Sequence, residues 1–124
     1  MRAKRTDKSQ AEIVRELRKR GVQVIVTNFG NDFPDLLCGR HGQWFLIEIK
    51  EKDGDLSRGQ LEFLAEANGY TGVATDADEA FYIIEAWGHL SRAKQVILSK
   101  WLIRNPSQQS LSVKKFTALM QIQI

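Results

Sequence analysis

Two strand-like runs, Pro34–Cys38 and Gln43–Lys50, flank Gly39-Arg40-His41-Gly42, a glycine-bracketed turn. This pattern constrains the fold more than any other in the chain. It predicts an antiparallel hairpin, and the period of two along a strand then decides which side chains share a face. Pairing Cys38 with Gln43 sets Asp35 opposite Leu46. Leu46, Glu48 and Lys50 lie on one face and Asp35 joins them, so Asp35 and Glu48 are diagonal neighbours, roughly 7–8 Å apart at the backbone. Phe45, Ile47 and Ile49 form an apolar row on the other face. With Trp44 and Leu46 leading up to Glu48, the second strand is apolar on both sides, as central strands are. A three-residue turn or a bulge would reverse the parity.

The remaining segments build around this hairpin. Ser9 to Arg20 reads as a helix with Ile13, Val14 and Leu17 inward, Asp7 or Ser9 as N-cap and Gly21 as the stop. Val22 to Thr27 is a β-branched strand, residues 28–32 a loop and residues 52–55 a turn. Ser57 caps a helix from Arg58 to Ala67, with Gln60 in its first turn. Thr71 to Thr75 is a short strand. Asp76 or Asp78 caps a helix through Trp87 that buries Ala80, Phe81, Ile83, Ile84 and Trp87. A further helix, Ala93 to Ile103, turns Val96, Ile97, Trp101 and Leu102 inward. Residues 105–110 form a polar linker, and the segment from Val113 ends in an alternating stretch, Met120 to Ile124, that reads as an edge strand. The order αβββαβα plus a C-terminal extension predicts an α/β fold, with a mixed central sheet flanked by helices. Residues 1–90 form the core domain. Residues 91–124 pack on it or at a dimer interface, because Val96, Ile97, Trp101, Leu102, Phe116, Leu119, Met120, Ile122 and Ile124 exceed what a core of this size is expected to absorb.

A chain of 124 residues has room for one domain, and 43% hydrophobic with 27% charged residues is ordinary for a soluble protein. No apolar run is long enough to span a bilayer, and no apolar segment follows the basic Met1–Arg5 stretch. The expectation is therefore a cytoplasmic protein with no membrane partner. The single cysteine, Cys38, excludes an internal disulfide and a cysteine-based zinc site. The net charge is +3, with basic residues gathered in the first twenty residues and the last third around a more acidic middle. That distribution suits phosphate binding around a central acidic site. His41 and His89 lack metal-spaced partners and are expected at the surface. The serines lack histidine–acid partners, which argues against nucleophilic hydrolysis. Trp44, Trp87 and Trp101 are expected in the core.

The acidic middle carries chemistry. Asp35, then Glu48 two residues before Lys50, then Gln60 is a compact set for metal-assisted phosphodiester cleavage. Two carboxylates can hold a divalent cation, and a lysine can neutralise charge or position a water. Taken alone, Glu-x-Lys would be a solvated ion pair at a strand end.

The runs Phe33-Pro34-Asp35-Leu36-Leu37, Ile47-Glu48-Ile49-Lys50 and Leu56-Ser57-Arg58-Gly59-Gln60 resemble the VRR-NUC branch of the PD-(D/E)XK nucleases, the small stand-alone, phage-type members most of all. The resemblance covers about Ser9 to Trp87. It implies a restriction-endonuclease-like core and metal-dependent DNA cleavage in replication, repair or recombination, selective for branched or flapped structure rather than sequence, in a bacterial or phage-infected cell. Asp35, Glu48 and the carbonyl of Ile49 would bind Mg²⁺ or Mn²⁺, Lys50 would assist the attacking water, and Gln60 would order the site. The family's first-helix glutamate falls on Gln10 or on Glu12; these lie about 200° apart around a helix and cannot both point inward. Arg5, Lys8, Arg40, Lys52 and Arg58 are the candidate DNA contacts. A homodimer would address the two strands of a duplex with paired sites. A catalytically weak binding or assembly protein on the same fold is the alternative, kept open by Gln10. The glycine that often precedes Pro-Asp is replaced by Asp32-Phe33, and the segment after Gly88 has no counterpart.

Overall fold

The computed structural model describes residues 2–86 and 88–121, with side chains from Ser9 onward. A central sheet is formed by β1 (Gln23–Val26), β2 (Leu36–Arg40), β3 (Gln43–Ile49) and, after one short strand and a helix, β5 (Tyr70–Ala74), in the order β1-β2-β3-β5. The first two pairings are antiparallel and β3–β5 is parallel, so the sheet is mixed. Helices α1 (Arg2–Lys19) and α3 (Ala77–Glu85) belong to one core, and α2 (Arg58–Glu66), α4 (Arg92–Arg104) and α5 (Val113–Met120) to another. Two three-residue strands, β4 (Asp55–Ser57) and β6 (Ser110–Ser112), pair antiparallel beside α2.

The hairpin forms with a register two residues away from the expected one. Its turn is His41-Gly42, both at positive φ (54° and 79°), and Arg40 pairs with Gln43 and Cys38 with Phe45. Two consecutive left-handed residues match the twist of the strands they join. Gly39 therefore belongs to β2 and not to the turn; the Trp44 ring lies over it, and a Cβ there would come within 2.6 Å of the ring. Trp44 is consequently a half-exposed cover rather than a core residue. Because the shift is even, the side chains keep their faces.

One face of β3, Phe45, Ile47 and Ile49, is buried with Leu36 and Cys38 against Ile13, Val14 and Leu17 of α1 and Ala80, Ile83 and Ile84 of α3. Burial pushes the Cys38 thiol up to about 12, which makes it an inert packing group. α1 begins at Arg2, well before the expected Asp7 or Ser9 cap. Asp76 caps α3 by accepting from the Glu79 amide. His89, expected at the surface, packs edge-on against Tyr70 with centroids 4.7 Å apart.

The second core shows how the tail packs within the chain. Leu98 and Leu102 of α4, Leu111, and Phe116 and Met120 of α5 are buried with Leu56, Leu61 and Leu64. The inward line of α4 is Gln95, Leu98 and Leu102, while Val96 turns outward and Ile97 and Trp101 are half-buried. Gln95 donates to the carbonyls of Leu64 and Ala67, closing the end of α2. Arg58 donates to the carbonyls of Leu102, Asn105 and Gln108, closing the end of α4. From Ser112, whose hydroxyl accepts from the Lys115 amide, the chain forms a helix that ends at Met120, where the expected edge strand was to begin; residues 122–124 of that stretch lie outside the described residues. Val113, Phe116 and Met120 follow its inner face at helical spacing. Ile122 and Ile124 lie outside the described residues, as does Trp87. Of the tail's described apolar groups, Leu102, Phe116 and Met120 are buried within the chain and Ile97, Trp101 and Leu119 pack partly against them, which weakens the argument for a tail-mediated dimer. Among the described residues no helix is long and apolar enough to cross a membrane.

Candidate functional site

The site lies where β1, β2, β3 and β5 end together, on the α2 side of the sheet. Thr27, just past β1, donates its amide to the Asp35 carbonyl at 3.0 Å and its hydroxyl to the Pro34 carbonyl at 2.6 Å. These bonds pin the Pro34-Asp35 step ahead of β2. One residue beyond the Leu36–Ile47 pair, Asp35 stands opposite Glu48 and on the same face. Its Oδ2 accepts from the Ile49 amide at 2.8 Å.

Glu48 is 4% exposed. Its Oε2 accepts from Gln60 Nε2 at 2.8 Å and lies 3.7 Å from Lys50 Nζ. Its Oε1 is buried and has no hydrogen-bond partner among the described residues. Desolvation by burial, then the Asp35 charge and a hydrogen bond to Asp35 that only the protonated acid can make, push the Glu48 carboxyl up to about 8, against the opposing pull of Lys50. Near neutrality the Glu48 carboxyl therefore holds a proton unless a cation offsets its charge.

Gln60 is aimed by the start of α2. Its backbone amide donates to Ser57 Oγ at 3.1 Å, and its side-chain Oε1 accepts from the Ser57 amide at 2.9 Å. This capping box engages the oxygen, so the amide nitrogen faces Glu48. Ser57 Oγ in turn donates to Asp32 Oδ1 at 2.9 Å. Asp32 is packed so closely on Gly59 that a Cβ there would meet Oδ2 at 1.9 Å. Glycine at that position lets the loop before Asp35 lie against the first turn of α2.

The other expected residues divide. Lys52 is exposed and lines, with Ser9, Ile49, Lys50, Thr75 and Lys114, a cavity of about 570 Å³ at the end of β3; Glu51 and Asp53 complete its wall. Glu12 is exposed, and Gln10 is half-buried in a separate cleft beside Val14 and Val26. No group of three His, Cys, Asp or Glu side chains suited to a metal occurs among the described residues. Glu12 does not bring α1 into the carboxylate pair. Arg40 sits at the opposite end of the hairpin, bonded to Glu85 and to the Arg20 carbonyl and lying over Phe81. Arg58 is spent on the α4 carbonyls and on Glu62. Both arginines are engaged in contacts within the chain. The side chains of Arg5 and Lys8 lie outside the described residues.

Sequence reasoning did not single out Asp32, Phe29 or Lys114. Asp32 had a signal, the departure from glycine before Pro-Asp; Lys114 had none, because only the packing of α5 carries it to the end of β3. No family model, curated protein or solved structure matches the chain.

The donor set suits a hard divalent cation: two carboxylates and a strand-end carbonyl, all oxygen. A buried carboxylate oxygen without a partner, beside a second carboxylate, is costly unless a proton or a cation lies between them. With two protein carboxylates, Mg²⁺ or Mn²⁺ would keep several of its waters.

Proposed function

We propose that this chain is a divalent-metal-dependent deoxyribonuclease that hydrolyses phosphodiester bonds. The observation that carries the reading is the buried Glu48 carboxylate, with one oxygen held by Gln60, the other unpartnered, and Asp35 and Lys50 beside it. The motifs around these residues resemble the VRR-NUC nucleases. Asp35, Glu48 and the Ile49 carbonyl would hold Mg²⁺ or Mn²⁺. When bound, such an ion supplies charge neutralisation at the phosphate and a water of lowered pKa. Gln60 fixes the Glu48 carboxylate in one orientation. Lys50, tethered to the same carboxylate, orients the nucleophile or offsets charge developing on the phosphate. Lysines at the rim with no base-reading motif favour recognition of backbone and shape over sequence.

The test is a panel of duplex, nicked, flap and four-way-junction DNA incubated with Mg²⁺, Mn²⁺ or EDTA. Cleavage should require metal, favour branched or flapped substrates, and disappear in Asp35→Ala and Lys50→Ala. Undiminished cleavage by either variant contradicts the assignment.

One observation favours a second reading, a nucleic-acid-binding or assembly protein on the same scaffold: among the described residues α1 adds no carboxylate to the pair. On that reading millimolar Mg²⁺ or Mn²⁺ leaves the melting temperature unchanged and no substrate is cut.

A further inference from the structure

The four central strands end in the spatial order β1, β2, β3, β5, so the segments leaving them are arrayed in that order across the site. Neighbouring strands lie about 4.8 Å apart. The loop between β1 and β2 flanks the carboxylates on one side, and the lysine-lined cavity, which reaches Thr75 beyond β5, flanks them on the other.

The loop side presents an aromatic ring. Phe29 is 69% exposed. Its ring lies tilted against Phe33 with centroids 5.0 Å apart, and Phe33 meets Phe63 of α2 edge-on at 5.3 Å. The loop under it is held in a defined shape. Asn28, Gly30, Asn31 and Asp32 all adopt positive φ, and Asp32 is tied to Ser57. A large ring held in water on an ordered base, six residues before Asp35, is positioned to receive a flat apolar partner. The cavity side presents cations from three places in the chain, Lys50 at the end of β3, Lys52 in the following turn and Lys114 from the first turn of α5, which outnumber the Glu51 and Asp53 carboxylates in the same wall. Phosphates are the matching charge.

Resting on the nuclease reading above, we propose that this end of the sheet is a track for one unpaired DNA strand. Its phosphates lie over Lys50, Lys52 and Lys114, its backbone crosses the Asp35–Glu48 pair, and a base beyond the crossing stacks on Phe29. The track explains how a protein without base-reading groups would select branched DNA, because a base inside a duplex cannot reach an isolated ring. It also gives the C-terminal extension a role, the delivery of Lys114.

The experiment measures binding in EDTA, where no metal-dependent cleavage occurs, by fluorescence anisotropy of a labelled twelve-nucleotide single strand and of its blunt duplex. Wild type should bind the single strand more tightly. Phe29→Ala should weaken single-strand binding about tenfold, Phe29→Trp should restore it, and Phe29→Leu should not. Lys114→Ala should reduce the slope of log affinity against log salt by about one contact, and Lys115→Ala should leave it unchanged. Both tested side chains are exposed, so the fold is not at stake. Equal binding by Phe29→Leu and wild type, or an unchanged slope in Lys114→Ala, overturns the track while leaving the nuclease reading intact. Loss of stacking in a protein that cuts nothing with Mg²⁺ keeps the track and removes the nuclease. A wild type without DNA affinity overturns both.

Discussion

The hairpin of β2 and β3 carries acid–base partners at both ends, and the two ends treat them differently. At the turn, Arg40 is fully engaged: Glu85, the Arg20 carbonyl and the Phe81 ring surround it, and His41 lies 3.1 Å from the same Glu85. At the open end, Glu48 is deeper, stands beside a second carboxylate, and keeps one oxygen without a partner among the described residues. The first arrangement satisfies its charges; the second leaves a cost of roughly 1–3 kcal/mol standing. Packing alone gives no reason to bury a carboxylate that way, and a buried, perturbed carboxyl of this kind makes the open end the candidate functional site.

The sharpest way to break this contrast is activity. Asp35→Asn and Glu48→Gln should each lower kcat/KM at least about 100-fold on a flap substrate, whereas Arg40→Gln should stay within about twofold. Comparable losses at both ends, measured in the same assay, would erase the distinction. A smaller effect is expected from Gly59→Ala. The new methyl displaces Asp32 from Ser57 and shifts the first turn of α2, and with it the Gln60 amide that holds Glu48. A drop of roughly tenfold in kcat/KM with KM little changed is expected; unaltered kinetics would detach Asp32 and Gly59 from the site.

Stability should show opposite signs at the two ends. Arg40→Ala strands Glu85 and the Arg20 carbonyl and should cost about 1–2 kcal/mol. Glu48→Gln should be neutral or stabilising in metal-free protein at pH 8, since it removes the charge that burial opposes. Chemical denaturation of both variants checks this, and a clear loss in Glu48→Gln would identify Glu48 as a structural group. The pH dependence follows from the raised Glu48 carboxyl. Between about pH 4.5 and 8 the folded state holds a proton that the unfolded chain has released. Metal-free stability should therefore fall as pH rises through that window and level off above it. Each kcal/mol lost corresponds to about 4 °C in Tm. In Glu48→Gln the slope should flatten; a slope unchanged by the substitution would place the titration elsewhere.

The hairpin, the placement of Asp35 with Glu48 on one face, and the capping serine of α2 were legible because each follows from a local rule: strand period, turn glycine, cap chemistry. The register was misread by two residues because Gly39 looks like a turn glycine, while its place is in fact set by the Trp44 ring across the strand. The strands β4 and β6 are three residues each, too short to leave a pattern. How the tail packs was not legible in the sequence, for a non-local reason. Nothing near Arg58 or Gln95 in sequence announces that they close each other's helices across 28 to 50 residues. The exposure of Glu12 follows the same lesson: the helix face was clear from Ile13, Val14 and Leu17, but the position of α1 relative to the carboxylates is a property of packing.

The central claim is that the open end of the hairpin holds a divalent cation through Asp35 and Glu48, and the most direct measurement is thermal melting with and without 10 mM MgCl₂ or MnCl₂, a concentration of about 10 mM being saturating for a millimolar or tighter site. Wild type should melt higher with metal, and the rise should vanish in both Asp35→Asn and Glu48→Gln while persisting in Arg40→Gln. No rise in wild type, or a rise that survives in the two carboxylate variants, would contradict it.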